Sequence, residues 1–397
     1  MDIEHLSPHF ADILGGTLQR ASVDLMNTPG LMPTYNARAA IYTGLGMLPN
    51  KERKEVLVPA FHCPSGITPV IQAGYTPVFF RVRRDLSVDF EDLLGKINAR
   101  TAAVMIINYF GFQDSMDEII EAKREHGFVV IEDCSHSFLT GPSFSLAGRR
   151  GDMAVYSFWK GVPSLVGGGL WVNPEGVFNK EVRLTDVPMR DSIKFAAQTF
   201  DAAVQNMPEG VVRSSLLAMD RMRISLKHLS KRKSSSNKMQ NADSGMPDPD
   251  ATYPFHKRLA QARMPYLAKR ILMRENLETI WNARRENYHI FSSFLLDGHG
   301  MRNAWRSLAD TVCPWVYPVL LEDRDRIDRD LKAQGVGLHT FGSMLHPALL
   351  QSTDGEAIED AQFLSENLLC LSIHQQIGHE QIRVSCKVIN GYIGNQC

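Results

Sequence analysis

The stretch from residue 128 to 173, FVVIEDCSHSFLTGPSFSLAGRRGDMAVYSFWKGVPSLVGGGLWVN, constrains the fold of this chain more than any other. It opens with a β-branched run, residues 128–131, that reads as a fully buried strand ending on Glu132 and Asp133. In open α/β sheets ligands bind at the C-terminal ends of such strands. A second apolar strand over residues 154–158 carries Ser157, with Lys160 three residues on, and a Gly167-Gly168-Gly169 run leads into a third strand at 170–172. Upstream, strands over 55–59, 78–82 and 102–107 alternate with helices over 35–47, 65–73, 89–99 and 116–126. This β-α rhythm predicts an α/β fold with a doubly wound, mostly parallel sheet.

The residue types in that stretch point to one chemistry. A lysine offers the only amine nucleophile whose pKa burial can lower, so Lys160 is the candidate to form an imine with a cofactor aldehyde. A buried carboxylate keeps a pyridine nitrogen protonated so that the ring acts as an electron sink, and Asp133 is placed for that role. Ser157 can supply one donor to a phosphate. Asp133, Ser157 and Lys160, in that order and followed by glycines, are the parts a pyridoxal 5′-phosphate enzyme needs. Alone, an Asp ending a strand is more often a cap or turn residue and a lone Lys usually a solvated one; the pattern carries the reading.

Several segments together resemble the DegT/DnrJ/StrS family of fold type I, pyridoxal phosphate-dependent sugar aminotransferases. The likeness runs through Val58-Pro59-Ala60-Phe61, Ala73-Gly74-Tyr75-Thr76-Pro77-Val78-Phe79, Asn108-Tyr109-Phe110-Gly111, Ile131-Glu132-Asp133, Arg263-Met264-Pro265 and Leu369-Cys370-Leu371-Ser372-Ile373-His374. It implies a large doubly wound domain with a smaller C-terminal α+β domain, and active sites shared across a homodimer. It also implies roles for single residues. Ala37 and Arg38 stand where the family's phosphate-binding helix begins, and Arg38 offers a guanidinium in place of a hydroxyl. His62 and Cys63 stand where relatives stack an aromatic on the cofactor ring, His62 being the candidate and an ordinary loop histidine the alternative. His136 takes the place of a glutamine that contacts the cofactor's phenolic oxygen, a bond that an imidazole also makes. Gln261 takes the place of an asparagine that reaches the partner subunit's phosphate. The family lysine usually lies five residues after the serine, a position held here by Val162, so Lys160 departs from the pattern.

The organisation expected is an N-terminal arm over residues 1–30, a large cofactor-binding domain over 31–262, and a linking helix with a small domain over 263–397. Within the large domain, 174–262 is a helical and basic insertion. Between Arg221 and Lys238 it holds no acidic residue, which reads either as a solvated insertion or as a basic helix making weak contact with an anionic membrane surface. One helix is expected from 264 to 295, a strand over 315–321, and a closing helix over 375–391. A formal net charge of −1 argues against a nucleic-acid binder. Six scattered cysteines without a C-x-x-C pair read as reduced thiols, with no metal site. No stretch has the layout of a signal peptide or the length of a membrane span, so a cytoplasmic protein is expected.

The activity implied is transfer of an amino group from an amino-acid donor, glutamate in most of the family, to the keto group of a nucleotide-linked sugar in surface polysaccharide or secondary-metabolite biosynthesis. The alternatives are another pyridoxal phosphate reaction on the same fold, such as dehydration or condensation, or a non-catalytic binding or regulatory relative.

Overall fold

The computed structural model of the chain describes residues 6–113, 116–176, 178, 182–207, 255–298, 300–305 and 307–394. The basic segment from Arg221 to Lys238 lies outside the described residues. Seven strands form the main sheet: β1 (Leu31–Thr34), β2 (Glu55–Pro59), β3 (Thr76–Phe80), β4 (Thr101–Ile107), β5 (Val129–Cys134), β6 (Met153–Tyr156) and β7 (Gly168–Val172). Their order is β1-β7-β6-β5-β4-β2-β3. The pairs among β3, β2, β4, β5 and β6 are all parallel, whereas β7 runs antiparallel to both β6 and β1. Every residue of β4 and β5 is buried, as a strand covered by helices on both faces requires.

Three helices start at the C-terminal ends of these strands or lead into them: α1 (Ala37–Gly46), α2 (Pro64–Gln72) and α3 (Asp117–His126). Asn36 caps α1 by accepting the Ala39 N–H at 2.9 Å, Pro64 sits at the first position of α2 where no N–H is needed, and Gly127 ends α3 at φ 66°. The chain then forms α4 (Met189–Gln205) beside the sheet.

The sequence pattern predicts a single helix over 264–295, but the structure has two, α5 (Tyr266–Arg274) and α6 (Leu277–Phe294). The break falls where Glu275 is extended, with ψ 138°, and Asn276 turns its side chain to the N–H groups of Glu278 and Thr279. An asparagine gains more as a cap than inside a helix. Beyond it, β8 (Met301–Asn303), β9 (Val316–Leu321), β10 (Leu338–His339) and β11 (Leu368–Ser372) form an antiparallel sheet in the order β8-β9-β11-β10. The closing helix α7 (His379–Gly394) begins four residues later than the pattern suggests and packs on α6. Asp360, on the helix Gly355–Asn367 before β11, takes Arg81 Nε and Arg84 Nε from the loop after β3 at 2.7 Å each. Among the described residues no helix is long and apolar enough to cross a membrane.

Candidate active site

The C-terminal ends of β4, β5 and β6 open into a cleft of about 580 Å³. Its walls come from the start of α1, the loop before α2, the turn after β6, α4, and the β9 and β10 ends of the smaller sheet. Asp133 lies at its floor. Side chains alternate along a strand, so the neighbouring carboxylates of β5 part ways. Glu132 takes the N–H groups of Arg150 and Gly151 at 2.8 and 2.6 Å and serves the loop before β6. Asp133 turns into the cleft.

The Asp133 carboxylate accepts from the Ser135 N–H at 2.8 Å and faces His62 Nε2 at 3.2 Å. Burial would push its carboxyl up, but the hydrogen bond and charge of His62, with the bonds from Ser135, outweigh that and hold it below its ordinary value. His62 Nδ1 faces the Cys63 carbonyl at 2.9 Å. Both ring nitrogens therefore face an oxygen. His62, the candidate for ring stacking, is thus tied by its edge to the carboxylate. Cys63 lines the cleft beside it and accepts from the Ser65 hydroxyl at 3.2 Å.

Lys160 ends a 3₁₀ turn, Phe158–Lys160, that Ser157 opens. The strand expected to reach residue 158 stops at Tyr156, and this turn brings a lysine only three residues past the serine into the cleft. Burial lowers the Lys160 ammonium pKa, against the pull of the Cys63, Asp133 and Cys370 groups. Its Nζ rests over Trp315, 4.5 Å from the ring centre. Trp315 escaped the sequence reading, since a tryptophan at a strand start has no signal of its own.

The His136 ring stacks on Phe110 (5.2 Å, 6°) and on Trp315 (4.6 Å, 28°), which are themselves 6.1 Å apart. Its Nδ1 accepts the Phe110 N–H at 3.0 Å, so the proton of the neutral ring sits on Nε2. Burial, followed by the charges of Lys160, His62 and His339, holds its pKa well below the usual histidine value. Phe110 itself adopts φ 55°, ψ 15°, a left-handed conformation that phenylalanine rarely takes.

At the other end, Ala37 and Arg38 form the first turn of α1 and line the cleft with Asn36 and Ala39. A helix start presents N–H groups that lack a partner within the helix. Gly168 makes this cradle possible: a Cβ there would meet Asn36 C at 2.3 Å and Ala37 N at 2.6 Å. Ser157 is nine-tenths or more buried, lines the same cleft, and does not use its hydroxyl to cap the turn it opens. The outer wall adds Lys194 and the Asp191–Arg258 ion pair at 2.7 Å, residues that sequence reasoning left within the insertion. Gln261 is not brought into the cleft of its own chain; its side chain is exposed, and its carbonyl accepts from the Thr185 N–H at 2.9 Å.

The donor set fits pyridoxal phosphate. A carboxylate held ionised at the floor suits a pyridinium nitrogen, and its two oxygens keep acceptor capacity beyond His62 and Ser135. A desolvated amine lies in the same cleft, and a helix start with a serine and an arginine suits a phosphate. Among the described residues no group of histidines, cysteines and carboxylates could hold a metal ion.

Residues 24–200 match the sequence model of the DegT/DnrJ/EryC1/StrS aminotransferase family. A GDP-perosamine synthase from Vibrio cholerae is 30% identical over 152 residues, which span 38% of this chain and 41% of that protein. The spore coat polysaccharide biosynthesis protein SpsC of Bacillus subtilis is 30% identical over 129 residues, 32% of this chain and 33% of its own. The chain thus matches about two-fifths or less of the length of these curated relatives. The fold likeness is wider. A DegT DnrJ EryC1 StrS aminotransferase from Brucella abortus superposes with a TM-score of 0.64 at 17% identity, over 96% of this chain and 92% of that one. PseC of Helicobacter pylori, an aminotransferase involved in the biosynthesis of pseudoaminic acid, gives 0.65 at 13% identity over 99% of both chains.

Proposed function

We propose that this chain, whose residues 24–200 match the DegT/DnrJ/EryC1/StrS aminotransferase family model, is a pyridoxal phosphate-dependent aminotransferase acting on a keto-sugar. The observation that carries the reading is that Asp133 and Lys160, from two neighbouring strand ends, share one cleft. When bound, pyridoxal phosphate supplies the electron sink that lets an amino group move from one carbon to another. Asp133 holds a proton at the cofactor's pyridine nitrogen. The Nε2–H of His136 donates toward the phenolic oxygen, while Ser157, Arg38 and the amide of Ala37 hold the phosphate. Lys160 is the nucleophile and afterwards the base that moves a proton at the substrate carbon, and its lowered pKa makes the free amine accessible nearer neutral pH.

The donor is an amino acid, glutamate by analogy with the family, and the acceptor a keto-sugar carried on a nucleotide. Lys194 on the outer wall gives the cleft a cationic group for a phosphorylated substrate, next to the Asp191–Arg258 pair. The names of two relatives, a GDP-perosamine synthase and a spore coat polysaccharide biosynthesis protein, support that class. A homodimer is part of the proposal: Met189, Ile193 and Tyr266 stand 75%, 62% and 74% exposed, an apolar surface that a second copy would cover, and Gln261 faces outward where it can reach the partner's phosphate. The working division is an arm over 1–30, a large domain over 31–262 and a small one over 263–397, in a cytoplasmic enzyme.

The test is to add pyridoxal phosphate to purified protein and record the visible spectrum, then reduce with borohydride and map the labelled peptide. A band that L-glutamate discharges, with the label on Lys160, supports the reading. No band, or a label on another lysine, overturns the site assignment. Amino transfer to GDP- and UDP-linked keto-sugars then defines the acceptor.

A further inference from the structure

The turn that carries Lys160 leaves two carbonyls to be satisfied from outside. Within it, Lys160 N–H bonds to Ser157 O at 3.2 Å, and the Gly161 and Val162 N–H groups bond to Phe158 O at 2.9 and 3.0 Å. The carbonyls of Lys160 and Gly161 come at the end of the turn, where no further N–H follows in register. Both are taken by side chains from far along the chain. Arg284 Nη2 donates to Lys160 O at 2.9 Å, a partner 124 residues away, and Gln375 Nε2 donates to Gly161 O at 2.9 Å, 214 residues away. The two side chains are joined to each other by Arg284 Nε and Gln375 Oε1 at 3.2 Å.

Arg284 is only 2% exposed. Its remaining bonds, at 3.3 Å, go to the carbonyls of Pro314 and Trp315, the residue whose ring supports the Lys160 ammonium. The acceptors of these Arg284 bonds are amide and backbone carbonyl oxygens, none of them a carboxylate. A buried guanidinium satisfied by neutral carbonyls alone is a costly way to fill space, and it does so at the two backbone segments that present Lys160 and Trp315.

We propose that Arg284 and Gln375 form a clamp that positions Lys160, by fixing the backbone of the Lys160–Gly161 turn and of Trp315 in a single frame. The proposal rests on Lys160 being the cofactor lysine. It also describes how a lysine three residues after the serine is presented: the turn that carries it is held by long-range side chains rather than by further helical turns. Both are positioning residues, since neither touches the reacting atoms in this arrangement.

The test uses the full chain with Arg284→Gln, Arg284→Lys and Gln375→Leu, and two readouts. The first is hydrogen exchange of the amides of residues 158–162 and 164 in the protein without added cofactor. The second is the rate at which pyridoxal phosphate becomes covalently trapped on Lys160. Arg284→Gln is expected to speed exchange in that turn and to slow trapping by about tenfold or more, with Gln375→Leu changing both in the same direction by less and Arg284→Lys recovering part of the loss. A melting temperature that falls while turn exchange and trapping rate stay at wild-type values would leave Arg284 a purely structural residue and overturn the clamp. Should Arg284→Gln fail to fold, Gln375→Leu decides by the same two readouts. A wild type that traps nothing on Lys160 sinks the proposed function, and the exchange measurement still decides for or against the clamp.

Discussion

Lys160 Nζ lies 4.5 Å from the centre of the Trp315 ring, whose plane also stacks on His136 at 4.6 Å. One side chain from the smaller sheet therefore supports both the nucleophile and the ring predicted to meet the cofactor's phenolic oxygen. A cation over an indole and an aromatic stack are worth roughly 1–2 kcal/mol together at a partly desolvated site. Trp315→Ala is expected to weaken pyridoxal phosphate binding about tenfold, while Trp315→Phe retains most of the affinity. A spectral titration measures both, and equal affinity for wild type and Trp315→Ala would refute the role.

The His62 and Asp133 pair gives a pH-dependent prediction. Asp133 is held below its ordinary pKa, so its contribution to stability is fully present above the normal carboxylate range and is lost as pH falls through the depressed value. His62→Ala removes the partner and leaves a buried carboxylate with fewer bonds, a change that costs about 3 kcal/mol or more at neutral pH. The cost shrinks in acid, where Asp133 in the variant takes up a proton. Urea unfolding of both proteins at neutral and acidic pH tests this; a stability gap that stays constant with pH would show that the pair is not what the variant lost.

Gly168 should be intolerant of any side chain. A Cβ at this position meets the Asn36 carbonyl carbon and oxygen and the Ala37 nitrogen within 2.7 Å, all backbone atoms that cannot swing aside. Gly168→Ala is expected to lower stability by about 2 kcal/mol or more and to weaken cofactor binding by displacing the start of α1 from β7. Gly46→Ala is the control, since nothing lies within 4 Å of a Cβ there. Two variants with the same melting temperature and the same affinity would mean that the cradle tolerates the shift.

What the sequence made legible follows the range of the interactions. The strands that carry Asp133 and the run 55–59 are local apolar patterns, and they lie where the period places them. Asp133, Ser157 and Lys160 were readable because a strand end, a serine and a lysine sit within one short stretch and meet in one cleft. Trp315, Arg284 and Gln375 were not, because each reaches the Lys160 turn across more than a hundred residues and no local pattern records that. The break between α5 and α6 was written in Asn276, but helical periodicity on both sides masked it. Gln261 stays out of its own chain's cleft, and no local pattern around it records that.

Glu275, at the end of α5, provides a prediction away from the cleft. Burial, followed by the charge of Asp12, pushes its carboxyl up to about 8. Asp12 belongs to the short helix Phe10–Leu14, which Arg274 holds through the carbonyls of Asp12 and Ile13 at 3.0 and 3.1 Å. In the unfolded chain a glutamate titrates near about 4.3, so between that value and about 8 the folded protein binds more protons than the unfolded one. Stability therefore declines as pH rises through this window and levels off above it. Glu275→Gln removes the difference and keeps the shape. The variant should match wild type near about pH 4 to 5 and melt higher by about 2 °C or more above pH 8, with the segment around Phe10–Leu14 better protected from proteolysis in the alkaline range. Calorimetry at the two ends of the window is the measurement. An advantage of the same size at both ends would mean that Glu275 is not the titrating group, and a loss at both would mean that its carboxylate makes a contact the glutamine cannot.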